Sequence, residues 1–206
     1  MDPVAVANLA LGWLGCDRVT SFESPTQKTE QLLADQFEGL RDAVLEDGDW
    51  TFATKRFVVV PDPTAVPPFG YAAAFPVDAT VLRVVSVAPA GNTGTLDAFA
   101  ASLDPDFDSA IDWRYEDRCI LADAYSSLYV KAIRQVPDSM KWSPAFCQAL
   151  AARIAADLCV PLTADRSLMA AMWTLYEAKL KAARSNDGRQ GRSQVIRAST
   201  IARRRW

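Results

Sequence analysis

Three aspartates in the stretch DPDFDSAID, Asp104, Asp106 and Asp108, occupy the first three liganding positions of a calcium loop. The pattern then fails. Ser109 stands where the turn glycine belongs and Tyr115 where a bidentate glutamate would close the site. The expectation is a solvated acidic loop without metal. Glu46, Asp47 and Asp49 cluster beside Trp50, a spacing that could support acid–base work. Nothing around them raises a carboxyl pKa, so a polar helix exit is the simpler reading. Gly91-Asn-Thr-Gly94-Thr lacks the lysine and spacing of a phosphate loop and reads as a turn-rich linker. The chain has no histidine. That removes the commonest general base, Ser/His and Cys/His nucleophile pairs and most zinc chemistry. The expectation is a protein that is not an enzyme and carries no cofactor.

Charge is distributed unevenly. Net charge over the 206 residues is −3, yet residues 184–206 hold seven arginines against the single acid Asp187. The remainder is an acidic body. The tail SQVIRASTIARRRW interleaves Arg197, Arg203, Arg204 and Arg205 with Val195, Ile196, Ile201 and Trp206, the pattern of an amphipathic arm. Set after Gly188 and Gly191, it is expected to form a flexible basic arm, 188–206. Fixing its backbone would cost ~1–2 kcal/mol per residue. Burying its four large apolar side chains would return ~1.5–3 kcal/mol each. The arm is therefore expected to order only on a partner that supplies backbone hydrogen bonds and acidic groups.

The elements that must carry these groups run helix, strand, helix. Val6, Leu9, Ala10 and Trp13 recur at helical spacing and Gly15 stops them. Leu33, Phe37, Leu40 and Val44 stripe a second helix, about 26–46, with Glu30, Asp35, Glu38, Arg41 and Asp42 opposite. From Trp50 the sequence WTFATKRFVVV reads as a strand, and prolines 61, 63, 67, 68 and 76 exclude a helix. Further strands are expected at 80–88, at 111–115 pairing with 118–122 across Glu116-Asp117, and at 127–135. Ser143-Pro144 opens an alanine-rich helix that Pro161 should break. A last helix, about 164–186, turns Leu168, Met172, Leu175, Tyr176 and Leu180 inward and leaves Glu177 and Lys181 outside.

The predicted fold is α+β: an antiparallel body of about four helices from 1–49 and 138–187, with an all-β subdomain, 50–137, inserted between its halves. The apolar runs fall short of a membrane span. Cys16, Cys119, Cys147 and Cys159 lie far apart and read as reduced, buried residues.

The segments LALGWLG, LLADQFEGLRDAVLEDGDWTFATKR, PPFGYAAAFPVDATVLRVV and SSLYVKAIRQVPDSMKWSPAFCQALAARIAADLCVPLT follow one another in unbroken order, ahead of a helix ending YEAKLKAARSND. Together they resemble the phage tail tubular protein A and head-to-tail adaptor family over residues 4–187. The most specific parts are Trp50-Thr-Phe52-Ala-Thr, Tyr71-Ala-Ala-Ala-Phe75-Pro76-Val-Asp78 and Trp142-Ser-Pro144-Ala-Phe146.

The resemblance implies a structural virion protein of the phage neck, made in the host cytoplasm. It implies a twelve-fold ring beneath the portal protein, with a tail or nozzle component below and genomic DNA passing through the channel, and no membrane. Residues 89–110 and the tail beyond Gly188 match no part of the pattern. Under this reading Val195, Ile196, Arg197, Ile201, Arg203, Arg204, Arg205 and Trp206 grip the portal. Trp50, Phe52, Trp142 and Phe146 would anchor the structural junction. The alternative is a DNA-binding module whose arginine tail neutralises phosphates. A carboxylate-dependent hydrolase is a third class, and it lacks a convincing acid pair.

Overall fold

A computed structural model describes residues 1–89, 111–124 and 126–190. It is a mixed α/β chain. Among the described residues it has four helices, α1 (Pro3–Leu14), α2 (Lys28–Glu46), α3 (Pro144–Thr163) and α4 (Arg166–Gly188). Two small antiparallel sheets lie between α2 and α3 in the sequence. The first orders its strands β1 (Thr54–Val59), β6 (Leu128–Arg134), β3 (Val81–Pro89). The second orders them β2 (Ala73–Pro76), β5 (Cys119–Ala122), β4 (Trp113–Glu116).

Local chemistry sets the helix ends. Gly15 closes α1 in the left-handed conformation, φ 69°, which a residue without Cβ adopts at little cost. Glu30 accepts the amides of Thr26 and Gln27 at the start of α2. Ser143 Oγ accepts Phe146 N at 3.2 Å, and Pro144 fills the first turn of α3, where a missing amide leaves no gap. Asp165 accepts Ser167 N and Leu168 N to open α4.

Pro161 does not break α3. It sits in the last turn, so the helix forfeits a single amide, and substitutes complete the end. Thr163 Oγ1 donates to Cys159 O at 2.7 Å, Ala164 N reaches Val160 O at 2.9 Å, and Lys28 Nζ donates to Pro161 O. α3 packs against each of the other three helices. Its alanines and Phe146, Leu150, Ile154 and Leu158 are buried on nearly every side. By length and composition α3 is also apolar enough to cross a membrane, contrary to the reading of its runs as too short. Its two charges, Arg153 and Asp157, pair with each other one turn apart at 2.6 Å.

Two hydrophobic clusters divide the interior. One gathers α1, α2, α3 and α4 with Trp50, Ala53, Ile133, Val136 and Trp142. The other gathers Phe75, Ile120 and Ala122 of the second sheet over Val59, Val81, Val87, Leu128, Val130 and Ala132 of the first. β6 serves both: Ala132 faces one cluster and Ile133 the other, the alternation a pleated strand imposes. The first sheet is thus the wall the two clusters share.

Several expectations change. Trp50–Ala53 is a turn and β1 starts only at Thr54, because Trp50 O accepts Ala53 N and Thr54 N and the chain reverses there. Arg41, assigned to the outer face of α2, is buried, with its Nε on Asp42 at 2.8 Å. The hairpin turn is Asp117-Arg118, one residue beyond the expected pair, and Glu116 pairs with Cys119. α4 runs through Gly188, and Gln190 N still bonds Asp187 O, so the arm's expected start at 188 falls inside ordered helix and turn. Cys147 and Cys159 are buried, whereas Cys16 and Cys119 are half-buried.

Candidate functional site

The chain crosses between helix and sheet twice, at 47–53 and at 135–143, and a tryptophan stands at each crossing. Trp50 Nε1 donates to Val44 O at 3.0 Å, and Trp142 Nε1 donates to Val136 O at 2.9 Å. Each indole thereby satisfies a carbonyl six residues earlier, one in the last turn of α2 and the other just past the end of β6. The rings then meet. Phe146 lies 5.2 Å from Trp50, 5.1 Å from Phe52 and 5.7 Å from Trp142, all edge to face. Phe37 and Phe22 extend the row beyond Trp142. The four junction residues named from the sequence therefore form one cluster, although some ninety residues separate Phe52 from Trp142 in the chain.

Gly48 makes the first crossing possible. A Cβ there would stand 2.7 Å from the Trp50 ring, so any side chain would displace the indole. The far end of α4 is tied to the same turn. Asp187 is buried and accepts Thr51 N at 2.7 Å and Thr51 Oγ1 at 3.0 Å. A carboxylate holding a backbone amide in this way fixes the turn to the helix across 136 residues of sequence.

Charged groups gather around this joint. Glu46, Asp47, Gly48, Asp49, Trp50, Arg83, Arg184, Asp187 and Gly188 line an open cleft of about 590 Å³. The Arg83 guanidinium pairs with Asp49 through Nη2, which also donates to Gly48 O at 3.1 Å. A register shift in β3 between Val81 and Arg83 lets this side chain turn toward the helix end. Arg83 Nε is buried and finds no hydrogen-bond partner among the described residues. Behind the cleft, Tyr176 donates its hydroxyl to Asp47. Burial, with the Asp47 carboxylate beside it, holds that phenol well above its ordinary range. The Arg153 guanidinium stacks 4.8 Å from the Trp173 ring and 5.4 Å from Tyr176.

At this rim Asp49 is ion-paired with Arg83 and Asp47 is hydrogen-bonded by Tyr176, while Glu46 is exposed beside them. The ties of Asp187, Thr51 and Arg83 were missed by sequence reasoning, and Tyr176, placed inward as expected, was not foreseen as a partner of Asp47. Their partners lie 34 to 136 residues away, and no local pattern marks them. The arm residues Val195, Ile196, Arg197, Ile201, Arg203, Arg204, Arg205 and Trp206 lie outside the described residues, as do Asp104, Asp106 and Asp108. Among the described residues no three acidic or cysteine side chains gather as a metal site. No family model matches the chain, and no curated protein matches it.

Proposed function

We propose that this chain is a structural head-to-tail adaptor of the tail tubular protein A type. It assembles as a ring under the portal protein, joins it to the tail and forms part of the DNA channel. In this reading the four helices make the body, and residues 50–137 are a β subdomain inserted between its halves. The single observation that carries the proposal is the aromatic junction. Two of the three most specific segments of the resemblance, at Trp50–Thr54 and Trp142–Phe146, are the two crossings between helix and sheet, and their rings pack together. A connector needs such a joint, because force passing between portal and tail must cross from helices to sheets without opening a seam.

The arm grips the portal, with Arg203, Arg204 and Arg205 steering and Ile196, Ile201 and Trp206 anchoring. Ring symmetry repeats a weak contact, and avidity holds the assembly. No catalytic step or cofactor enters.

The test is retention by the cognate portal protein of the full chain and of a chain ending at Gln190. Retention of the full chain alone is expected. Equal retention of both removes the arm from the interface, and retention of neither removes the adaptor reading. The arginine-rich tail also supports the rival reading, a DNA-binding module. That reading predicts binding to naked DNA that weakens by about one log unit per phosphate contact for each tenfold rise in salt.

A further inference from the structure

We propose that the open face of the first sheet binds single-stranded nucleic acid, with phosphates along the row Arg56, Lys131 and Ser86. The row follows from register. Arg56 of β1 and Ser86 of β3 both stand opposite Lys131 of β6. Their neighbours in sequence, Phe57, Val130 and Val87, belong to the sheet cluster, so alternation turns all three polar side chains to the other face. The helical cluster covers that face at Ile133, which is fully buried. One row further on, Arg56 is exposed and Lys131 and Ser86 are half-buried.

Charge singles this sheet out. Its three strands carry Lys55, Arg56, Arg83, Lys131 and Arg134 and no acid, in a chain whose net charge is −3. Arg83 pairs with Asp49, and Lys55 and Arg134 lie near the Asp78 carboxylate. Arg56 and Lys131 make no ion pair among the described residues, although the register sets them directly opposite each other. Like charges so placed repel and weaken a strand pair. An anion between them removes that repulsion, and the Ser86 hydroxyl adds a neutral donor.

The next row decides what kind of anion. Val58 and Tyr129 stand opposite each other on the same face, Val58 exposed and Tyr129 half-buried, and Val60 beyond them is 67% exposed. A duplex offers phosphates but keeps its bases stacked inside, and would leave these groups uncovered. A single strand brings sugar and base faces to the valines and the tyrosine ring, and phosphates to the cations. Phosphates also recur at a fixed interval along one backbone, which a line of donors on strands ~5 Å apart can follow. Carboxylates of a protein partner have no such repeat. The site lies on the sheet and not on the arm, so its test is separate from that of the adaptor reading.

Fluorescein-labelled oligo(dT) and oligo(U) are titrated by anisotropy against the full chain at several salt concentrations. Both are expected to bind, and more tightly than a duplex of the same length. The arm's arginines add a background common to every variant, so the row is read from differences. Arg56→Ala with Lys131→Ala should weaken binding about tenfold and lower the slope of log K against log salt by about 1.4, ~0.7 per phosphate contact on a single strand. Arg18→Ala with Lys181→Ala removes the same charge from exposed sites elsewhere and should leave the slope unchanged. Tyr129→Leu should weaken binding about tenfold without moving the slope. Thermal melts check each fold, and Arg56→Thr with Lys131→Thr replaces the alanine pair if that one does not fold.

No binding at low salt, a slope unmoved by the Arg56 and Lys131 pair, or an equal loss in the Arg18 and Lys181 pair overturns the proposal. So does tighter binding of the duplex. Competition by poly-glutamate as strong as by unlabelled oligo(dT) also overturns it, and would make the face a dock for an acidic protein.

Discussion

The helical cluster and the sheet cluster solve the same burial problem with different means. Around α3, small alanines let helices approach closely, and aromatic rings from both crossings fill what remains. The sheet cluster has one large ring, Phe75, fully buried among β-branched and small residues. Its periphery leaves Val58, Val60, Val66 and Phe69 exposed, and Phe69 is 85% accessible. The first region is closed on itself. The second is thin and depends on the first sheet, whose opposite face belongs to the helices. Stability should therefore pass from helix to sheet more than the reverse.

Paired truncations break this comparison most directly. Phe146→Ala removes the ring that touches Trp50, Phe52 and Trp142, and is expected to cost about 3–5 kcal/mol and lower protection throughout the chain. Phe75→Ala should cost about as much locally. Native-state hydrogen exchange should then show β2 and β5 opening while α3 and α1 keep their protection. Loss of helix protection in Phe75→Ala would mean that the two clusters unfold as one unit.

Next in size is the joint itself. Gly48→Ala places a methyl group 2.7 Å from the Trp50 ring, an overpacking expected to cost about 1–3 kcal/mol. Asp187→Ala strips the part-buried Thr51 amide of its charged acceptor, expected to cost about 1–3 kcal/mol. If the joint couples the regions, each change should shift exchange in both β1 and α4, read in a single experiment. An effect confined to α4 would reduce Asp187 to a helix-end contact.

How much of this was readable in advance follows from the range of each interaction. Ser143, Pro144 and Gly15 act on neighbours within a turn, so type and position alone announce the ends of α3 and α1. Trp50-Thr-Phe52-Ala misleads, because aromatic and β-branched residues favour strands on average while here the indole caps α2 and the carbonyl of Trp50 folds the chain back. Pro161 misleads because its penalty depends on how many amides remain to be satisfied after it, which composition does not tell. Arg41 is inside because its Asp42 partner goes in with it and Gln135 completes that carboxylate at 2.8 Å, a contact 93 residues distant. The aromatic junction was legible as residues and not as a cluster, since only tertiary packing brings Phe52 to Phe146.

Acid should loosen the helix starts more gently. Glu30 is held below its usual value of 4.5 by the Thr26 and Gln27 amides, and Asp165 below 3.8 by the Leu168 amide and then Ser167. For a carboxyl with a depressed folded pKa, the contribution is complete above the unfolded value and disappears as pH falls through the folded one. The starts of α2 and α4 should therefore fray below about pH 4. Circular dichroism should register the helix loss, and Glu30→Gln with Asp165→Asn should flatten that limb. An unchanged limb would place the acid sensitivity elsewhere.

The smallest expected effect concerns backbone conformation, where both regions carry the same kind of strain. Ala164 closes α3 at φ 56°, and Asp117 and Arg118 turn the β4–β5 hairpin at φ 47° and 59°. Two positive φ values in a two-residue loop are what a type I′ turn demands, and Asp-Gly fits it better than Asp-Arg. Arg118→Gly relieves the Cβ clash and loses some unfolded-state advantage, for a net gain of about 0.5 kcal/mol. Ala164→Gly should gain a similar amount in the helical region. The Arg118 carbonyl that accepts Val77 N at 2.9 Å is backbone and survives the change. If the sheet cluster is the weaker unit, Arg118→Gly slows exchange in β4 and β5 without moving the main thermal transition, whereas Ala164→Gly raises it. Equal shifts of that transition would argue for one cooperative core reaching across the shared sheet.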